Sequence, residues 1–143
     1  MKKLLREDED TPKQTFRLMC VAILVIAAHL LPTDAAVRVW GLQAFNLDGD
    51  PIGPPDPYIK VWCGSIFGGM SEFRQDNANP VWSAEFYFPN CKAKDILKLE
   101  VWDKDLTYDD YLGTCTMKVQ SGTYLYRTCM VGRGTLSYNY ELK

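Results

Sequence analysis

The chain has 143 residues, with 16 Lys or Arg against 18 Asp or Glu and a formal charge of −2. That length allows one domain of ordinary size, and the near-neutral balance, with no basic stripe interleaved by aromatics, excludes a nucleic-acid partner. His29 is the only histidine, so residues 36–143 carry no Ser-His-Asp or Cys-His machinery and no histidine-built zinc hydrolase site.

Residues 1–35 differ from the rest. Lys2, Lys3, Arg6, Lys13 and Arg17 precede an apolar run at 18–31 that only His29 interrupts, and Pro32, Ala35 and Ala36 follow. A basic leader, a short apolar core and a small-residue exit predict a secretory signal peptide cleaved near Ala35. The acidic run at 7–10 and the length of the leader leave an uncleaved signal anchor as the alternative. About 14 residues of apolar run fall short of the ~20 that a spanning helix needs. In both cases residues 36–143 form a domain on the oxidising side, secreted or lumenal.

That domain reads as all-β, with turn signals about every ten residues. The first strand is predicted at 37–45. At 58–63, Ile59 and Val61 alternate with Tyr58, Lys60 and Trp62. A weak edge strand is expected at 70–74, after a Gly68-Gly69 turn. At 81–88, Trp82, Ala84, Phe86 and Phe88 share one face, and Leu97, Leu99 and Val101 alternate with Lys98 and Glu100. The last strands fall at 112–119, 124–129 and 135–142. Eight short strands in about 108 residues make a two-sheet antiparallel sandwich the natural architecture, with most Trp and Phe in its core.

Cys20 lies in the apolar run and leaves with a cleaved signal. Cys63, Cys91, Cys115 and Cys129 remain, an even number suited to disulfides in an exported domain. Four cysteines allow three pairings. The favoured one joins Cys115 to Cys129, on consecutive strand-like segments linked by the Ser121-Gly122 turn, and leaves Cys63 with Cys91. Without a close Cys-x-x-Cys pair, zinc ligation is not expected.

Two acidic stretches carry the chemistry. Asp103, Asp105, Asp109 and Asp110 fall within eight residues directly after an apolar strand, and Asp48, Asp50 and Asp56 precede another. A single acidic loop is ordinarily just solvated, but so many carboxylates converging from two loops repel one another unless a cation compensates them. An oxygen-only set suits calcium. An EF-hand is excluded: Pro51 and Tyr108 stand where the turn glycine is required, Pro57 and Thr114 where the bidentate Glu is, and the flanks are strands rather than helices.

In this order, Asp50, Asp56-Pro57-Tyr58, Asn79-Pro80-Val81-Trp82, Trp102-Asp103-Lys104-Asp105 and Asp110-Tyr111-Leu112-Gly113 resemble a calcium-binding C2 domain. The stretches GLQAFNLDGD, DPYIKVWCG, LEVWDKD and DDYLGTC are similar to the C-terminal C2 domain of the perforin family, including a Cys pair where Cys115 and Cys129 stand. The resemblance implies an eight-stranded antiparallel sandwich in the type II strand order. It implies Asp50, Asp56, Asp103, Asp105 and Asp110 as calcium ligands, with Asp109 substituting or assisting, and structural roles for Asn79, Pro80 and Trp82. Only the signal-like segment precedes the module, so killing activity does not transfer with the fold.

The implied function is calcium-dependent binding to an anionic or zwitterionic phospholipid surface, without catalysis. Leu47, Ile52, Leu106 and Tyr108 sit on the same loops as candidates for insertion between headgroups, or for closing the loops by packing. A calcium-dependent protein- or glycan-binding module and a carboxylate-based hydrolase are the rival readings.

Overall fold

The computed structural model describes residues 14, 15, 17, 19, 20 and 35–143. The chain divides into two compact units, Met1–Thr33 and Asp34–Lys143. In the first unit the described residues are helical and exposed, and Cys20 carries a free thiol. The predicted signal segment otherwise lies outside the described residues, among which no helix is long and apolar enough to cross a membrane.

The second unit contains eight strands: β1 Val37–Phe45, β2 Pro57–Cys63, β3 Ile66–Met70, β4 Phe86–Phe88, β5 Ile96–Asp103, β6 Asp110–Lys118, β7 Gly122–Val131 and β8 Gly134–Leu142. They form two antiparallel sheets, in the orders β4-β1-β8-β7 and β3-β2-β5-β6. Period-two patterning drives the arrangement. Along β5, Leu97, Leu99, Val101 and Asp103 point inward while Lys98, Glu100 and Trp102 face out. Each inward aliphatic contributes about 1.5–3 kcal/mol of burial. In β1 a bulge between Trp40 and Gln43 shifts the phase, so that Val37, Val39, Leu42 and Ala44 all reach the core. On the outer face, Lys60 lies 4.4 Å above the Trp102 ring and Lys98 4.3 Å above Trp62, their stems covering the aromatics.

Two predicted strands are corrected. The edge strand runs over Ile66–Met70 rather than 70–74, and the chain reverses at Gly64-Ser65 instead of Gly68-Gly69. Gly68 is required for a different reason: a Cβ there would meet the Phe88 ring at 2.3 Å. The segment 81–88 keeps its predicted alternation, with Trp82, Phe86 and Phe88 buried, but only Phe86–Phe88 pairs as a strand. Val81 makes an isolated bridge to Gln43.

Both predicted disulfides are present, Cys63–Cys91 and Cys115–Cys129, each with Cα atoms 6.1 Å apart. Cys115 on β6 and Cys129 on β7 join the edges of the two sheets. Cys63 closes β2 onto the segment leaving β4, so each flank of the sandwich has one covalent tie.

The connections 46–56 and 104–109 emerge at the same end, because the start of β2 pairs with the end of β5, Pro57 opposite Asp103. The first crosses from one sheet to the other. The second stays within one sheet.

Candidate metal centre

Asp103 ends β5 and faces Asp110, the first residue of β6. The inward phase of β5 dictates its direction, and it is only 3% exposed. Its Oδ1 accepts the Asp56 amide at 2.7 Å, which fastens the 46–56 loop to β5. The Lys104 amide donates back to the Asp56 carbonyl at 3.0 Å. Carboxylate oxygens of Asp50, Asp103, Asp105 and Asp110 then lie within 4.8 Å of one another. Asp50 and Asp110 are exposed and Asp105 is half-buried, so the group opens outward from a buried floor.

The two remaining candidate ligands stand apart from this group of four. Asp56 adjoins it through its amide bond to Asp103, and its Oδ1 accepts the Asp76 amide at 2.6 Å. Asp109 turns away: its Oδ2 accepts the Tyr58 hydroxyl at 2.5 Å and its Oδ1 the Asp105 amide at 3.0 Å.

Electrostatics sets Asp103 and Asp105 apart from Asp109. Burial pushes the Asp103 carboxyl above the usual range, and the charges of Asp50, Asp56 and Asp110 push the same way against the Asp56 amide. Asp105 is pushed up to about 6, first by its hydrogen bond with Asp110, then by partial desolvation and by the charges of Asp50, Asp103 and Asp110. Asp109 is held below the usual range by the Tyr58 hydroxyl and the Asp105 amide, helped by Lys104 and Lys60. Asp48 is also lowered, because the Arg133 backbone amide and guanidinium bind its two oxygens at 3.2 and 2.8 Å.

A donor set of four carboxylates, with a buried member repelled by its neighbours, fits a hard divalent cation of the calcium type. Cys63, Cys91 and Asp95 also bring ligand atoms together, but both sulfurs are spent in the disulfide.

Around the group, Ile52 is 98% exposed, Leu106 105% and Tyr108 87%. Leu47 corrects the expectation of membrane contact. It is 4% exposed and packs in the core, its amide bonded to the Ala78 carbonyl at 2.9 Å. The Asn79 side chain accepts the Asn46 amide at 2.9 Å, and buried Trp82 donates its indole N–H to the Pro57 carbonyl at 3.1 Å. Both therefore hold the 46–56 loop in place. Sequence reasoning missed Asp76 and Arg133, and it placed Tyr58 in a motif without giving its hydroxyl a role, since each reaches the acidic end through a partner distant in sequence.

Residues 35–132 match the C2 domain family. Human perforin-1 is 31% identical over 145 residues, covering 94% of this chain, and the chain spans a quarter of that relative's length. An Arabidopsis thaliana protein named calcium-dependent lipid-binding protein is 32% identical over 82 residues, covering 56% of this chain and 16% of its own. A solved structure described as a C2 domain is 38% identical, covers 76% of this chain and 98% of its own, and superposes with a TM-score of 0.74. With its two four-stranded antiparallel sheets and the acidic loops at one end, the chain belongs to the C2 domain family.

Proposed function

We propose that this protein is an exported, calcium-dependent phospholipid-binding module. The observation that carries the reading is the open group of Asp50, Asp103, Asp105 and Asp110 flanked by exposed Ile52, Leu106 and Tyr108. The relative named as a calcium-dependent lipid-binding protein supports it. The two disulfides support an oxidising destination.

The mechanism follows from charge. Without compensation, the four clustered carboxylates repel an anionic surface. Calcium held by these carboxylates would supply positive charge and an affinity for phosphate oxygens. Asp103 provides the buried floor, Asp105 and Asp110 one wall, and Asp50 the other, with Asp56 adjoining the floor. Ile52, Leu106 and Tyr108 then enter the headgroup layer, each aliphatic adding roughly 1.5–3 kcal/mol when buried. The rest of the longer perforin-1 chain contributes nothing to this reading.

Cosedimentation with liposomes of zwitterionic lipid, alone or with an anionic lipid, tests the proposal across a calcium titration and in chelator. Calcium-dependent sedimentation is expected. Calcium binding in solution without sedimentation would point to a protein or glycan target instead, and sedimentation unaffected by chelator would refute the calcium bridge.

A further inference from the structure

The calcium reading counts Asp109 among the acidic residues of the site, but its geometry differs from the others. Each of its two oxygens has a specific donor, one from its own loop and one from β2. The loop donor is the Asp105 amide, four residues back, so the side chain closes the 104–109 loop on itself. The β2 donor is the hydroxyl of Tyr58, a residue only 5% exposed and fixed by its strand. Asp109 also lines a surface cleft with Lys60 and Lys104, on the outer side of the sheet. Glu72 lines the same cleft, but the charges that act on Asp109 are those of Lys104 and Lys60, whereas Asp50, Asp103, Asp105 and Asp110 face one another. Tyr58 follows Asp56-Pro57 directly and pairs with Trp102, next to Asp103, so the backbone that carries this hydroxyl adjoins both acidic loops.

Building on the calcium reading above, we infer that Asp109 is a positioning residue rather than a calcium ligand: with Tyr58 it braces the 104–109 loop and so presets Asp105 and Asp110 for the ion. The roles are separable chemically. A ligand carboxylate needs its negative charge. A brace needs only hydrogen-bonding atoms, and an asparagine retains them: its oxygen accepts the Asp105 amide, while its NH2 donates to the Tyr58 oxygen, reversing the sense of that bond. Alanine keeps neither contact, and phenylalanine at 58 removes the β2 donor alone.

The experiment uses the full chain with Asp109→Asn, Asp109→Ala, Tyr58→Phe and, as the ligand control, Asp110→Asn. Two readouts are taken: calcium titration by calorimetry, and amide hydrogen exchange of residues 104–110 in chelator. The brace predicts that Asp109→Asn binds calcium within about threefold of the native protein, while Asp110→Asn loses most of the affinity. Asp109→Ala and Tyr58→Phe should weaken binding about tenfold by lowering the fraction of competent loop, and a variant that combines Asp109→Ala with Tyr58→Phe should be no weaker than Asp109→Ala alone. Exchange at the Asp105 amide should quicken in Asp109→Ala and Tyr58→Phe, but not in Asp109→Asn. An Asp109→Asn variant as impaired as Asp110→Asn overturns the inference and makes Asp109 a ligand. Unchanged exchange and affinity in Tyr58→Phe and Asp109→Ala also overturn it. A native protein that binds no calcium overturns both this inference and the function on which it rests.

Discussion

Asp103→Asn isolates the electrostatics of the acidic end. The replacement keeps the side chain's shape and an oxygen able to accept the Asp56 amide, now at 2.7 Å. It removes one negative charge from a residue only 3% exposed. Unit charges at the 4.8 Å limit of the group repel by about 1 kcal/mol at the dielectric of water and about 3.5 kcal/mol at an effective value of 20. Asp50 and Asp110 are exposed, so the lower figure governs each pair, and the metal-free fold should gain about 1–2 kcal/mol. At roughly 4 °C per kcal/mol for a domain of this size, the variant should melt about 4–8 °C above the native protein in chelator. Saturating calcium should reverse that order. The native protein gains about 2.7 kcal/mol at a hundredfold excess over Kd, and the variant, short of a ligand, gains little. Scanning calorimetry of both proteins in chelator and in millimolar calcium tests the argument. A variant less stable than native in chelator, or an equal calcium shift in both, would refute it.

Acidification should act on the same repulsion. The Asp105 carboxyl, raised to about 6 chiefly by its hydrogen bond with Asp110, stands above its unfolded value near 4. Its contribution is therefore complete below about pH 4 and is lost as pH rises through about 6. Metal-free protein should melt higher at pH 5 than at pH 7, and calcium affinity should fall over that interval. Melting curves in chelator and calorimetric titrations at both pH values check the two halves. Ile52→Ser and Leu106→Ser, at sites 98% and 105% exposed, should leave calcium affinity in solution unchanged. Each should weaken liposome binding about ten- to a hundredfold, measured by cosedimentation. Cys115→Ser with Cys129→Ser should destabilise the sandwich by about 3 kcal/mol, and Cys63→Ser with Cys91→Ser by about 3.5 kcal/mol. Those values follow from spans of 14 and 28 residues and would appear in denaturant midpoints.

Much of the fold was legible because one physical signal dominated each strand. In β5 and β8 every second residue is buried, and inspection of Leu97, Leu99 and Val101 was enough to orient the strand. The edge strand β3 was misplaced because Gly68-Gly69 carries the composition of a turn, although Gly68 serves the Phe88 ring on another sheet. Residues 81–85 alternate like a strand, yet Val81 makes the only bridge of that stretch. At the acidic end, the resemblance pointed to Asp50, Asp56, Asp103, Asp105 and Asp110, and the fold brings all but Asp56 into one group. The same resemblance left Asp109 as a substitute or assistant to its neighbour Asp110. What distinguishes them is a hydroxyl 51 residues away, and no local pattern encodes that distance. Leu47 looked like its loop neighbour Ile52 for the same reason: polarity is shared along a loop, but direction is set by whatever packs against it.

The placement of the two disulfides has a kinetic consequence. Asp50 hangs on the connection that passes between the sheets, whereas Asp103 and Asp110 belong to one of them and Asp105 to the loop that joins their strands. Any sliding of one sheet over the other would open or close the distance across which these groups would share an ion under the proposed function. With Cys115–Cys129 on one flank and Cys63–Cys91 on the other, that motion is restrained before any ion arrives. An arriving cation therefore has no slow assembly step to await. Its capture rate should be set by diffusion and by the shedding of its own water, as expected where binding requires no large conformational change.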